Sequence, residues 1–158
     1  MKWFLAGALA FFTVEGQVIM LNPTSNRLKV EDVAGQKTLI RMPPEFDLTR
    51  LRLGDQVIAR CLRGKALEIG KALPADGARL APADEGGAGP DQRLTLRVHA
   101  LRREEREVLL LAEDGTLLHL LVEPAARGFD ETEPGDVVSV RYVEPEVIAL
   151  AVDESLRL

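Results

Sequence analysis

The chain repeats itself, and this constrains its fold more than any other feature. A shift of 80 residues places Val14 on Leu94, Val18 on Val98, Leu28 on Val108 and Val30 on Leu110. It also places Gly35 on Gly115, Met42 on Val122 and Pro44 on Pro124. One further residue in the connection makes the shift 81, and Gly54-Asp55 then falls on Gly135-Asp136, Val57 on Val138, Arg60 on Arg141 and Ile69 on Leu150. Apolar positions, turn glycines and a strand-ending proline all stay in register, which is the mark of an internal duplication. Each copy is then a unit of roughly 60 residues, near the lower limit for an independent core.

Within a copy the apolar period is two. Val14, Gly16, Val18 and Met20 alternate with Glu15, Gln17 and Ile19, as a half-buried strand does. Asn22 to Asn26 is a turn cluster, Leu28 and Val30 continue the alternation, Ala34-Gly35-Gln36 turns the chain, and Thr38 to Met42 reads as a third strand. Pro43-Pro44 ends it, because proline lacks the N–H that a ladder needs. Glu45 to Leu53 has room for one helical turn, Gly54-Asp55 opens the strand Val57 to Leu62, and Arg63-Gly64 turns into Ala66 to Ile69.

This order predicts an all-β chain of two tandem five-stranded OB-like barrels, residues 13–71 and 92–155, each closing its own sheet. Closure removes edges that would otherwise invite aggregation. Residues 72–91, rich in Ala, Gly, Pro and Asp, read as a flexible linker that lets the two units orient independently.

Residues 1–12 stand apart. Lys2 precedes an unbroken apolar run from Trp3 to Phe12 that holds four of the seven aromatics. Ten residues as helix reach about 15 Å, half of the roughly 30 Å hydrocarbon core, so this run does not span a bilayer alone. A positive charge before such a run resembles an export signal, with a membrane anchor or a buried first element as the other readings. Trp3, Phe4, Leu5, Leu9, Phe11 and Phe12 are the candidate membrane or partner anchors.

The run VEGQVIMLNPTSNRLKVEDVAGQKTL, ending in LRLGDQVIAR, resembles a group of small exported bacterial domains of uncharacterised function. Those domains share a glycine in the first strand, an Asp/Asn-Pro turn and a final Gly-Asp strand. The second copy departs at the first turn, where Arg102 to Glu105 replace Asn-Pro, and matches again at Gly135 to Tyr142. The resemblance implies the barrel and an envelope location. The topology is also similar to that of a periplasmic copper-efflux chaperone, whose strand-borne His and Met ligands sit beside a Trp. Met42 lies on the corresponding strand, with no His or Trp in that copy.

No nucleophile has an adjacent base and no Gly-rich phosphate loop is present, so a non-enzymatic protein without a cofactor is expected. His99 and His119 read as surface residues without a ligand set, and the single Cys61 reads as a small half-buried residue rather than a reactive thiol. The repeated Gly-Asp pairs read as turn chemistry. Arg102 to Glu107 reads as a mixed-charge hairpin tip.

Net charge is −5, divided as +1 from Lys2, +3 over residues 13–72, −3 over 73–91 and −6 over 92–158. Single-strand nucleic-acid binding needs a basic groove with aromatic platforms, and only Phe46, Phe129 and Tyr142 lie outside the head. The leading expectation is an envelope-associated binding or assembly subunit with a protein partner, periplasmic or held at the inner membrane. A cytoplasmic nucleic-acid module using the first barrel and a metal-carrying periplasmic chaperone are the alternatives.

Overall fold

A computed structural model describes residues 11–72 and 91–153. The described residues form ten strands: β1 (Phe11–Asn22), β2 (Arg27–Glu31), β3 (Lys37–Arg41), β4 (Gln56–Leu62), β5 (Gly64–Lys71), β6 (Asp91–Arg102), β7 (Glu107–Leu111), β8 (Thr116–Val122), β9 (Val137–Val143) and β10 (Glu146–Asp153). Single 3-10 turns, Leu48–Arg50 and Phe129–Glu131, sit between the third and fourth strands of each half, where one helical turn was expected. The first is capped by Asp47, whose carboxylate accepts from the Thr49 N–H.

The fold is all β, as the alternation implies. Strand β1 begins at Phe11, so Phe11 and Phe12 belong to the body and not to the head. Trp3, Phe4, Leu5 and Leu9 lie outside the described residues, as does the linker between Ala72 and Asp91.

The pairing of the last strand of each half departs from expectation. Strand β1 pairs with β2 and β4, and β2 pairs with β3. The strand that joins β4 to β3 is β10, antiparallel to the former and parallel to the latter. In the second half β6 pairs with β7 and β9, and β7 with β8. Strand β5 joins β9 to β8 in the same two senses. Two closed circuits of five strands result, and each takes its fifth strand from the other half of the sequence. A short parallel contact of β3 with β8 unites them in one ten-stranded sheet.

The expectation that each copy closes its own sheet is thus overturned at its final strand, and the residues of the second crossover supply a reason. Arg63 alone lies between β4 and β5. Glu144-Pro145 separates β9 from β10, and proline cannot take the positive φ that a type I′ turn requires. Strand β10 therefore runs on into the first circuit, and β5 takes the fifth place in the second. Independent orientation of the halves is excluded as well, because the chain passes between the circuits at these two short crossovers.

The halves match pair by pair. Phe11↔Leu62 and Gln17↔Gln56 in one correspond to Asp91↔Val143 and Arg97↔Val137 in the other, and Ala149↔Arg60 corresponds to Glu68↔Arg141. Gly54 and Gly135 both sit at φ 92°, and Asp55 and Asp136 accept from the N–H groups of Arg52 and Glu133, which is the turn chemistry expected of Gly-Asp. Asn26 and Arg106 both hold positive φ, and both donate to the backbone at the end of the third strand. Asn26 Nδ2 bonds the Met42 and Pro43 carbonyls, and Arg106 bonds those of Val122 and Glu123.

Packing follows pairing. Val147 of β10 is buried with Val14, Leu28, Ile40, Met42 and Ala59 of the first half. Ala66 and Ile69 of β5 are buried with Leu96, Leu110, Leu120 and Val140 of the second. Burying one such aliphatic side chain stabilises by about 1.5–3 kcal/mol, so each core depends on residues that the opposite half supplies.

Candidate interaction surface

The outer face of β1, β4 and β10 is built from an alternation. Val57, Ala59 and Cys61 point into the core, which turns Ile58, Arg60 and Leu62 outward. Ile58 is 49% exposed, Leu62 39%, and Ile148, at the bulge of β10, 51%. Ile58 lies between Glu15 and Ala151, and Leu62 between Phe11 and Glu146. The Arg60 guanidinium sits 5.0 Å from the centre of the Phe11 ring, a cation–π contact. A shallow groove of about 500 Å³ lined by Glu15, Gln56, Ile58 and Asp153 continues the strip.

The corresponding face of the second half is polar. Ile58 and Leu62 correspond to Ser139 and Val143, and Glu68 there binds Arg93 at 2.6 Å and Arg141 at 3.3 Å. The Arg93 hydrogen bond holds the Glu68 carboxyl below its usual range, with Arg141 adding to the effect. The apolar strip thus belongs to one circuit only.

Phe12 faces the other way. Its ring stacks on His119 at 4.5 Å and 20°, and Arg63 lies 5.8 Å from its centre. His119 is therefore not the surface residue expected: burial, with Arg63 close by, pushes its pKa down to about 4. His99 is exposed on β6, so the two histidines are not brought together. Met42 is a core residue of the first circuit. No group of three His, Cys, Asp or Glu side chains suited to a metal occurs among the described residues. Cys61 is fully buried rather than half-buried, and burial pushes its thiol up to about 12.

The hairpin tip at Arg102 to Glu107 is not simply a solvated charge cluster. Arg103 donates to the carbonyls of Phe129, Asp130 and Thr132, and Glu107 is buried. Its carboxylate lies 3.1 Å from Arg63 of the first crossover. At the second crossover Glu144 accepts from Arg27 Nε at 2.9 Å and from its terminal nitrogen at 2.7 Å, with side chains 1% and 0% exposed. Burial raises the Glu144 carboxyl against the pull of Arg27, and burial together with Glu144 raises the Tyr142 hydroxyl.

These crossover pairs were not anticipated. The signal available was the repeat itself, since the 80- and 81-residue shifts place Arg27 on Glu107 and Arg63 on Glu144. Further cations of the first half are also engaged. Lys29 lies 2.5 Å from Asp114 and Arg41 lies 3.1 Å from Glu146. Burial alone would raise Asp114, but hydrogen bonds from Lys29 and Thr116 hold it below its ordinary value.

Among the described residues no helix is long and apolar enough to cross a membrane. No protein-family model and no curated protein matches the chain.

Proposed function

We propose that the chain is a non-enzymatic binding or assembly subunit of a bacterial envelope, a tandem pair of OB-like barrels that have traded their fifth strands. The order of pairings within each circuit supports the OB-like reading, since strands one to four and the fifth follow one another as in a small closed Greek-key barrel. The envelope reading rests on the resemblance to small exported domains and on the apolar run that leads into Phe11.

The observation that carries the binding reading is the exposed strip of Ile58, Leu62 and Ile148 on one circuit, beside Phe11. Several exposed apolar residues on one sheet face, interspersed with charge, support a surface that a partner covers. Nucleic acid is a poorer fit, because Arg27, Lys29 and Arg41 are each engaged by carboxylates of the second half.

The test is expression with the native amino terminus, followed by fractionation and intact-mass measurement. The chain should appear with the envelope in a species larger than its own 17.3 kDa. Ile58→Glu/Ile148→Glu should release it from that species while leaving its circular dichroism unchanged. A free monomer confined to the cytosol would refute the proposal.

A further inference from the structure

Both crossovers carry a charge, Glu144 buried and Arg63 largely covered, and the two carry opposite signs. Arg63 at the first crossover faces Glu107 at the start of β7, and Glu144 at the second faces Arg27 at the start of β2. The repeat makes Arg27 equivalent to Glu107 and Arg63 equivalent to Glu144. The two ion pairs are therefore the same contact with its polarity reversed.

The reversal matters because the same sequence has a competing closure. If β5 folded back into its own half, Arg63 would take the place of Glu144 and meet Arg27. If β10 did likewise, Glu144 would meet Glu107. A second layer repeats the pattern. Lys65 and Glu146 are equivalent, and they face Glu123 at 3.6 Å and Arg41 at 3.1 Å. Self-closure would set Lys65 against Arg41 and Glu146 against Glu123. All four contacts would become like-charge contacts, two of them in buried positions.

We infer that these reversed pairs are a recognition code by which each half accepts the fifth strand of the opposite half and rejects its own. The binding partner of each four-stranded half is thus a strand of complementary crossover charge. The code works by repulsion against the self-closed form as well as by attraction in the exchanged one. This inference is independent of the proposed envelope role.

The observed register supplies a direct test. Gly70 pairs with Ser139 in the exchanged form. In a self-closed form Gly70 would pair with Ile58, the equivalent of Ser139. A Cβ at Gly70 meets nothing within 4 Å, so a cysteine fits there. In a Cys61→Ala background, Gly70→Cys/Ser139→Cys reports exchange and Gly70→Cys/Ile58→Cys reports self-closure, each by oxidation or a short bis-maleimide.

The parent should cross-link through position 139 in preference to 58 by at least about tenfold. Arg63→Glu/Glu144→Arg, which reverses both crossovers, should invert that preference or fail to fold. Adding Arg27→Glu/Glu107→Arg restores opposite charges throughout the buried layer and should recover the fold and the 139 cross-link. The inference is overturned if the crossover-reversed double variant folds and still links through 139. It is equally overturned if the quadruple variant fails to recover the 139 cross-link.

Discussion

Gly64 stands where the two crossovers touch, and replacing it by alanine tests the exchanged architecture directly. A Cβ there would lie 2.2 Å from the Val143 carbonyl oxygen, 2.7 Å from Leu120 Cδ2 and 2.8 Å from the Pro145 nitrogen. Carbon and oxygen ordinarily approach to about 3.3 Å, so the backbone of one crossover must retreat by roughly 1 Å from the other. Two of the three obstacles are backbone and cannot rotate away. Overpacking of this kind costs about 1–3 kcal/mol, and the rigid neighbours put this site at the upper end. Alanine returns about 0.4–1 kcal/mol by narrowing the unfolded ensemble. The net expectation for Gly64→Ala is a loss of about 2 kcal/mol.

Gly70, six residues further along the same strand, is the matched control. Its Cβ would meet nothing, so Gly70→Ala keeps the unfolded-state gain and should stabilise by about 0.5 kcal/mol. Urea unfolding followed by circular dichroism reads both, provided the m-value holds constant. Equal midpoints for the two variants would refute the contact between the crossovers, because a β5 folded back on β4 gives Gly64 no Val143 to strike.

Two further outcomes follow from the buried titratable groups. His119 in the unfolded chain binds a proton near pH 6.5, while in the folded protein it resists protonation down to about 4. The unfolded state holds more protons between those values, so stability rises with pH across that window, and moving from pH 7 to 5 should cost about 2 kcal/mol. Glu144, whose carboxyl is raised, acts in the opposite sense in both proteins compared, so the difference between wild type and His119→Phe isolates the histidine. Identical pH slopes for the two would sink the assignment. Cys61, buried with its thiol raised to about 12, should react with an aromatic disulfide at pH 8 only as fast as the protein unfolds. Stoichiometric labelling of the native protein on mixing would contradict its placement.

Much of the fold was legible because period-two alternation reports which side chains face inward. It also placed the turns, since Gly35, Gly54, Gly115 and Gly135 all adopt the positive φ that glycine tolerates. Alternation is silent on which sheet a strand joins. Val147 reads as an inward residue whether it enters the first core or the second. The usable signals were Pro145 at the turn between the last two strands and the inverted charges of Arg27, Arg63, Glu107 and Glu144 across the repeat. His119 was misread for a related reason. Its partner Phe12 belongs to the opposite half and was assigned to the head, so nothing local marked the imidazole as covered.

The exchange also gives a physical reason for the long connection between the halves. Strand β5 ends on the second circuit, where Lys71 pairs with Val138 and the Ala72 N–H bonds the Val137 carbonyl. Strand β6 begins on that same circuit, where Asp91 pairs with Val143, at the other end of β9. The two described ends thus belong to parallel strands flanking β9 and lie at opposite ends of it. Joining parallel strands takes about a dozen residues or more, which no tight turn could supply. A tether between independent domains would have no such minimum. Shortening the connection should thus leave the fold intact only down to the length that still reaches across β9, a limit that the self-closed arrangement would not impose.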